Sequence, residues 1–174
     1  MSETRDRFRL RKPFALFVVV ALCLVLGFQW WTAREASDER LILKADEMIA
    51  HRFVPIENDS PKIGMEDRED ALEPVSIDEE QFGRIANRLI NFSAEPTACE
   101  APSFEVGVEC IRGSTRVEVL ICLECADIAS RVQGEIVRAG YLDNESLNEI
   151  TGFFGELFPN DESIQKLTER RQRS

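Results

Sequence analysis

The sequence predicts an α+β fold: an N-terminal transmembrane helix, then a small domain in which an antiparallel β-hairpin packs on several helices. Three observations carry this expectation. Residues 13–33 hold no charged side chain. Phe104, Val106, Val108 and Cys110 alternate with Glu105, Gly107 and Glu109, and a second run, Arg116–Ile121, follows the turn Arg112-Gly113-Ser114-Thr115. The stretches on either side of this hairpin repeat apolar residues every three or four positions, the period of an amphipathic helix.

Charge sets the orientation. The chain of 174 residues carries 21 Lys+Arg against 32 Asp+Glu. Residues 1–33 hold five of the basic groups and two of the acids, which leaves 16 basic and 30 acidic groups beyond them. The basic segment 1–12 abuts the uncharged span 13–33, and Trp30 and Trp31 lie at its far end, where indoles favour the membrane interface. At about 1.5 Å per residue such a helix covers roughly 30 Å, the thickness of the hydrocarbon layer. The positive-inside rule places residues 1–12 in the cytoplasm and the rest outside. A cleaved signal peptide fits less well, because the apolar run is long and no Ala-x-Ala site follows it. Cys23 lies within the span, read as a small apolar residue.

Beyond the anchor, Leu41, Ala45, Met48 and Ile49 form a helical stripe over 34–53, read as an amphipathic stalk. His51 sits near its end and is given no role. Proline and acidic residues make 54–75 an acidic flexible linker. The folded domain is expected over 76–174. Ser76 and Glu79 suggest a capping box for a helix that buries Phe82, Ile85, Ala86, Leu89 and Ile90. After the hairpin, Ile128, Val132, Ile136 and Val137 suggest a helix over 126–139. Asp143 or Asn144 caps another helix, with Phe153 and Phe154 inward, and Asp161 or Ser163 caps the last, whose basic end Arg170-Arg171 suits the helix dipole.

The candidate chemistry lies in the cysteines. A turn at Gly113-Ser114 opposes residues whose numbers sum to 227. Cys110 then faces Val117, far from the rest, and reads as a buried small residue. Cys99, Cys122 and Cys125 gather at the open end of the hairpin. A disulfide from Cys99 to Cys122 or Cys125 is the expected outcome in an oxidising compartment. An alternative is a dithiol exchange pair, Cys122 and Cys125, at the start of the helix expected to follow, where the helix N-terminus lowers a thiol pKa. A zinc site of Cys99, Cys122 and Cys125 falls one ligand short of the usual four.

The segment Cys99-x-x-Pro102, the hairpin and Ile121-Cys122-Leu123-Glu124-Cys125 together resemble an uncharacterised bacterial group of exported or membrane-anchored proteins. That group shows a Cys-aromatic-x-Pro-x-His-Gly segment before a strand ending Ile-Cys-Phe-Glu-Cys. Here Glu100, Phe104 and Glu105 replace its aromatic, His and Gly. The resemblance implies an exported or membrane-anchored bacterial protein, which with the span 13–33 gives the expectation of a single-pass protein of the bacterial inner membrane, and it supports the three-cysteine cluster without an activity.

A single histidine and the absence of any nucleotide-binding glycine pattern argue against most hydrolase schemes, and no cofactor is called for. The acidic body excludes nucleic acid. The expected partners are the membrane, through 13–33, and a protein. The function expected is therefore extracytoplasmic binding or scaffolding, with thiol–disulfide exchange as the alternative.

Overall fold

The computed structural model describes residues 20, 22–24, 26, 38–56, 64–94 and 103–173. The chain divides into two compact units, Met1–Ala36 and Ser37–Ser174. The described residues of the first unit are helical and exposed. Among the described residues no helix is long and apolar enough to cross a membrane. The span expected at 13–33 lies mostly outside them.

The second unit is α+β, with six strands in one antiparallel sheet rather than a lone hairpin. The strands are β1 (Glu47–Phe53), β2 (Asp70–Ser76), β3 (Val106–Arg112), β4 (Thr115–Ile121), β5 (Asp127–Val132) and β6 (Glu135–Tyr141), in spatial order β2-β1-β3-β4-β5-β6. Among the described residues the helices include α1 (Glu79–Ile90), α2 (Asn144–Leu157) and α3 (Glu162–Gln172), with a 3-10 turn at Met65–Asp67.

The β3–β4 hairpin forms in the expected register, with Cys110 opposite Val117 and Val106 opposite Ile121. The two-residue connection Gly113-Ser114 fixes that register, and Gly113 takes the positive φ of 58° that primed hairpin turns favour. Val106, Val108, Cys110, Val117, Val119 and Ile121 then share one face. Against it pack Phe82, Ile85 and Leu89 of α1, Ile150, Phe153 and Phe154 of α2, and Ile164 of α3. The five residues expected to be buried on α1 are all buried. Asp143 caps α2 and Asp161 caps α3.

Four expectations are corrected. Among the described residues of the expected stalk, 38–43 are helical and Glu47–Phe53 is not, because it is bonded as a strand between β2 and β3. Its alternation puts Met48 and Ala50 in the main core and Phe53 on the opposite face. The linker 54–75 contains the 3-10 turn and most of β2. That strand is almost wholly exposed, and its acids and Pro74 suit a sheet edge that must not pair with a second chain. Residues 57–63 of the linker lie outside the described residues. The helix expected over 126–139 is the β5–β6 hairpin, turned at Gln133 (φ 51°) and Gly134 (φ 84°). The capping box of α1 is Asp78 with Gln81, because Ser76 is still in β2, paired with Ile49.

The second face of the sheet is also covered. The Met65–Asp67 turn lays Met65 over Phe53, Phe104, Leu120, Cys122 and Ala129. Beside this patch Arg131 donates to Glu118 at 2.7 Å, both buried, and the Met65 amide also donates to Glu118. Glu105 and Glu109, whose alternation reads as a wet face, are 9% and 6% exposed: Glu105 accepts from the Leu123 amide, and Glu109 lies beside His51 and Arg116. His51 is correspondingly not a solvated helix residue. It lies on β1 between Asp70 (3.2 Å) and Glu109 (3.7 Å), stacked on Phe53.

The sheet's far end is closed by Ser93, which exchanges backbone hydrogen bonds with Tyr141 at 3.0 and 2.9 Å. A Cβ on Gly140 would stand on the Ser93 carbonyl oxygen. Gly140→Ala is therefore expected to lower stability by roughly 1–3 kcal/mol. A urea midpoint unchanged at constant m-value would contradict that close approach.

Candidate functional site

The site forms where β4 ends. Ile121 is the last ladder residue, and Cys122 to Asp127 make a tight connection to β5. The Cys122 amide donates to the Asp127 carbonyl at 2.8 Å, and the Ala126 amide to the Cys122 carbonyl at 3.0 Å. Ala126 takes φ 67°, a left-handed conformation that costs a residue bearing a Cβ about 1 kcal/mol or more. Inside this loop Cys122 is bridged to Cys125, with Cα atoms 5.6 Å apart.

The bridge corrects the expected pairing. Cys122 and Cys125 satisfy each other, so neither sulfur remains for Cys99, which lies outside the described residues. The geometry that made Cys99 the preferred partner assumed that β4 runs on toward Cys125. The chain turns at Cys122 instead and brings positions three apart within bridging distance. Cys110 is buried and free as expected, and burial pushes its thiol up to about 12. Among the described residues no group of three or more His, Cys, Asp and Glu side chains is arranged to hold a metal ion.

Cys125 opens no helix. The next element is β5, so the helix N-terminus that would stabilise a thiolate is missing. Cys125 Sγ instead lies 3.6 Å from a carboxylate oxygen of Asp127. A carboxylate at that distance disfavours a thiolate. Cys122 is 1% exposed, whereas Cys125 is half-buried.

Three side chains that carry no sequence motif fix this loop. Leu123, fully buried in the main core, is held at both ends of its peptide units. Its amide donates to Glu105 Oε2 at 2.8 Å, and its carbonyl accepts from Arg171 of α3. Arg52 of β1 donates to Asp161 at 2.7 Å, to Ser163 at 2.8 Å and to the carbonyls of Phe53 and Glu105 at 2.7 and 3.1 Å. Asp161 also caps α3 through the Ser163 and Ile164 amides. Burial raises the Asp161 carboxyl, but these hydrogen bonds and Arg52 outweigh it and hold it below the usual range. Arg52 thus fixes the start of α3, and Arg171 fixes its end.

Between the loop, residues 52–55 and α3 lies a cleft of about 370 Å³. Glu105, Glu124, Leu123, Leu167, Lys166 and Arg170 are among its lining residues, and a neighbouring hollow shares Glu124, Leu167 and Arg170. Burial, reinforced by the charge of Glu124, pushes the Glu105 carboxyl up to about 7, against the opposing pull of the Leu123 amide and Arg52. No family model matches the chain, and neither does any curated protein or solved structure. The site is read from its geometry alone.

Two expectations follow. Glu105 has a folded pKa of about 7 against an ordinary 4.5. The folded state therefore binds the proton more tightly. The stability this supplies is complete below pH 4.5 and is lost as pH rises through 7, about 3 kcal/mol in all. Glu105→Gln keeps an oxygen for the Leu123 amide and removes the titration. Its urea-unfolding free energy should vary less between pH 5 and 8 and exceed that of the parent at pH 8; an unchanged pH slope would contradict the assignment. Replacing both Cys122 and Cys125 by Ala opens a small ring and is expected to cost about 2 kcal/mol in the chain-entropy picture. Stability equal to the bridged protein in urea would show that the bridge does not hold the turn.

Proposed function

We propose that this chain is a membrane-anchored extracytoplasmic binding protein whose domain is fastened by the Cys122–Cys125 bridge. The bridge is the observation that carries the reading, because such bonds persist in oxidising compartments and are rare where thiols are kept reduced. The uncharged span 13–33, with basic residues before it and two Trp at its far end, supports a single-pass anchor with the N-terminus in the cytoplasm. In this reading the compartment lies outside a bacterial inner membrane. The cleft beside the bridge supports binding, since it combines an apolar floor with charged groups of both signs. A protein partner is included among the ligands proposed.

The half-exposure of Cys125 favours a second reading, thiol–disulfide exchange at Cys122 and Cys125. The neighbouring Asp127 and the strand that follows weigh against it.

Both readings are tested in one experiment. Thiols of cells making the full chain are trapped by alkylation, and the tryptic peptide 117–131, which contains Cys122 and Cys125, is weighed before and after reduction. The binding reading expects a peptide that is unlabelled until reduced and stays so when intact cells are treated with a mild dithiol. Cysteines labelled without reduction would overturn the extracytoplasmic placement. Rapid reduction of the folded protein by the dithiol would replace binding with exchange.

A further inference from the structure

We propose that the cleft between the bridged loop and α3 binds a small zwitterion with an apolar side chain, of the α-amino-acid type. The inference rests on the reading of this domain as a binding module and names the ligand class.

The cleft presents opposite charges from different elements. Lys166 and Arg170 stand one turn apart on α3 and so share a face. Lys166 pairs only with the exposed Glu162 of its own helix, and Arg170 makes no ion pair among the described residues. Two carboxyl groups come from the other side of the fold: Glu105 ahead of β3, and Glu124 inside the bridged loop. Between them the lining is apolar, with Leu123, Ile164 and Leu167.

Each half of this arrangement lacks something that a zwitterion supplies. Glu105 is pushed up to about 7 by burial and by Glu124, which means that its charged form is undersupplied with positive charge despite Arg52. An ammonium group placed against Glu105 and Glu124 corrects that deficit, and a carboxylate meets Arg170 and Lys166. Ser103, also on the cleft lining, has a buried hydroxyl without a hydrogen-bond partner among the described residues. A polar ligand head gives it one. The apolar lining receives the side chain. The volume of about 370 Å³ is at the small end for ligand sites, which suits a single amino acid rather than a lipid or a folded partner.

The experiment is isothermal titration of the full chain in detergent micelles with three probes of similar shape: L-leucine, 4-methylpentanoate, which lacks the ammonium, and 3-methylbutylamine, which lacks the carboxylate. Saturable binding of L-leucine is expected, with both truncated probes at least about tenfold weaker, as the loss of a charge-assisted contact implies. Glu105→Gln and Arg170→Ala should each weaken L-leucine about tenfold. Arg170 is exposed, so its variant keeps the fold and remains informative if Glu105→Gln does not. Absence of saturable heat up to about 10 mM L-leucine, equal binding of the three probes, or full affinity in Arg170→Ala overturns the proposal. The alkylation experiment does not depend on any ligand, so a failed titration with a trapped bridge sinks this inference and leaves the extracytoplasmic reading standing.

Discussion

The structure depends on one constraint: the apolar face of an antiparallel sheet must be covered along its whole width. Six strands in near-sequential order present Val106, Val108, Val119, Ile121 and Ile128 on one side. Helices α1, α2 and α3 supply much of the cover, through Phe82, Phe153 and Phe154, with Phe158 just beyond the end of α2. Burial of this kind contributes about 25 cal/mol for each Å² of apolar surface removed from water, so it outweighs the surface ion pairs Arg84–Glu156 and Arg88–Glu149 between α1 and α2, each worth a fraction of a kcal/mol.

The bridged loop is where this constraint meets the candidate site. Leu123 must reach the core from a tight connection, and its peptide groups must leave water to do so. Buried amides and carbonyls need partners. Glu105 supplies the acceptor and Arg171 the donor. Because Arg171 belongs to α3 and Arg52 holds the other end of that helix through Asp161, the loop, the first strand and the last helix form one connected set of contacts. The bridge limits the motion of a turn that also contains the strained Ala126. The cleft takes its shape from the same set, since its walls are the loop and α3.

How much of this was legible follows from the range of each signal. The β3–β4 register and the burial of Cys110 were readable because a two-residue turn fixes every opposed pair by counting. The caps Asp143 and Asp161 and the buried stripe of α1 were readable because they are local. β5 and β6 were not: Ile128, Val132, Ile136 and Val137 meet the helical spacing by coincidence, and the contrary signal, Gln133-Gly134 in mid-segment, is weak. β1 was hidden because Met48 and Ile49 continue the helical stripe of Leu41 and Ala45, and β2 because its acidic and proline-rich surroundings suit an exposed edge as well as they suit a linker. The Cys122–Cys125 pairing was missed because it depends on where β4 stops. Glu105 and Arg171 carry no motif, and their roles exist only once the second face is covered and α3 is docked.

The bridged loop is a fixed part of the core, clamped through both peptide groups of Leu123. Native-state hydrogen exchange at the Leu123 amide tests it directly. Strong protection is expected in the oxidised protein, close to that of the β4 amides, with a marked loss of protection after the bridge is reduced. Exchange in the oxidised protein at the rate of an exposed loop amide would contradict it.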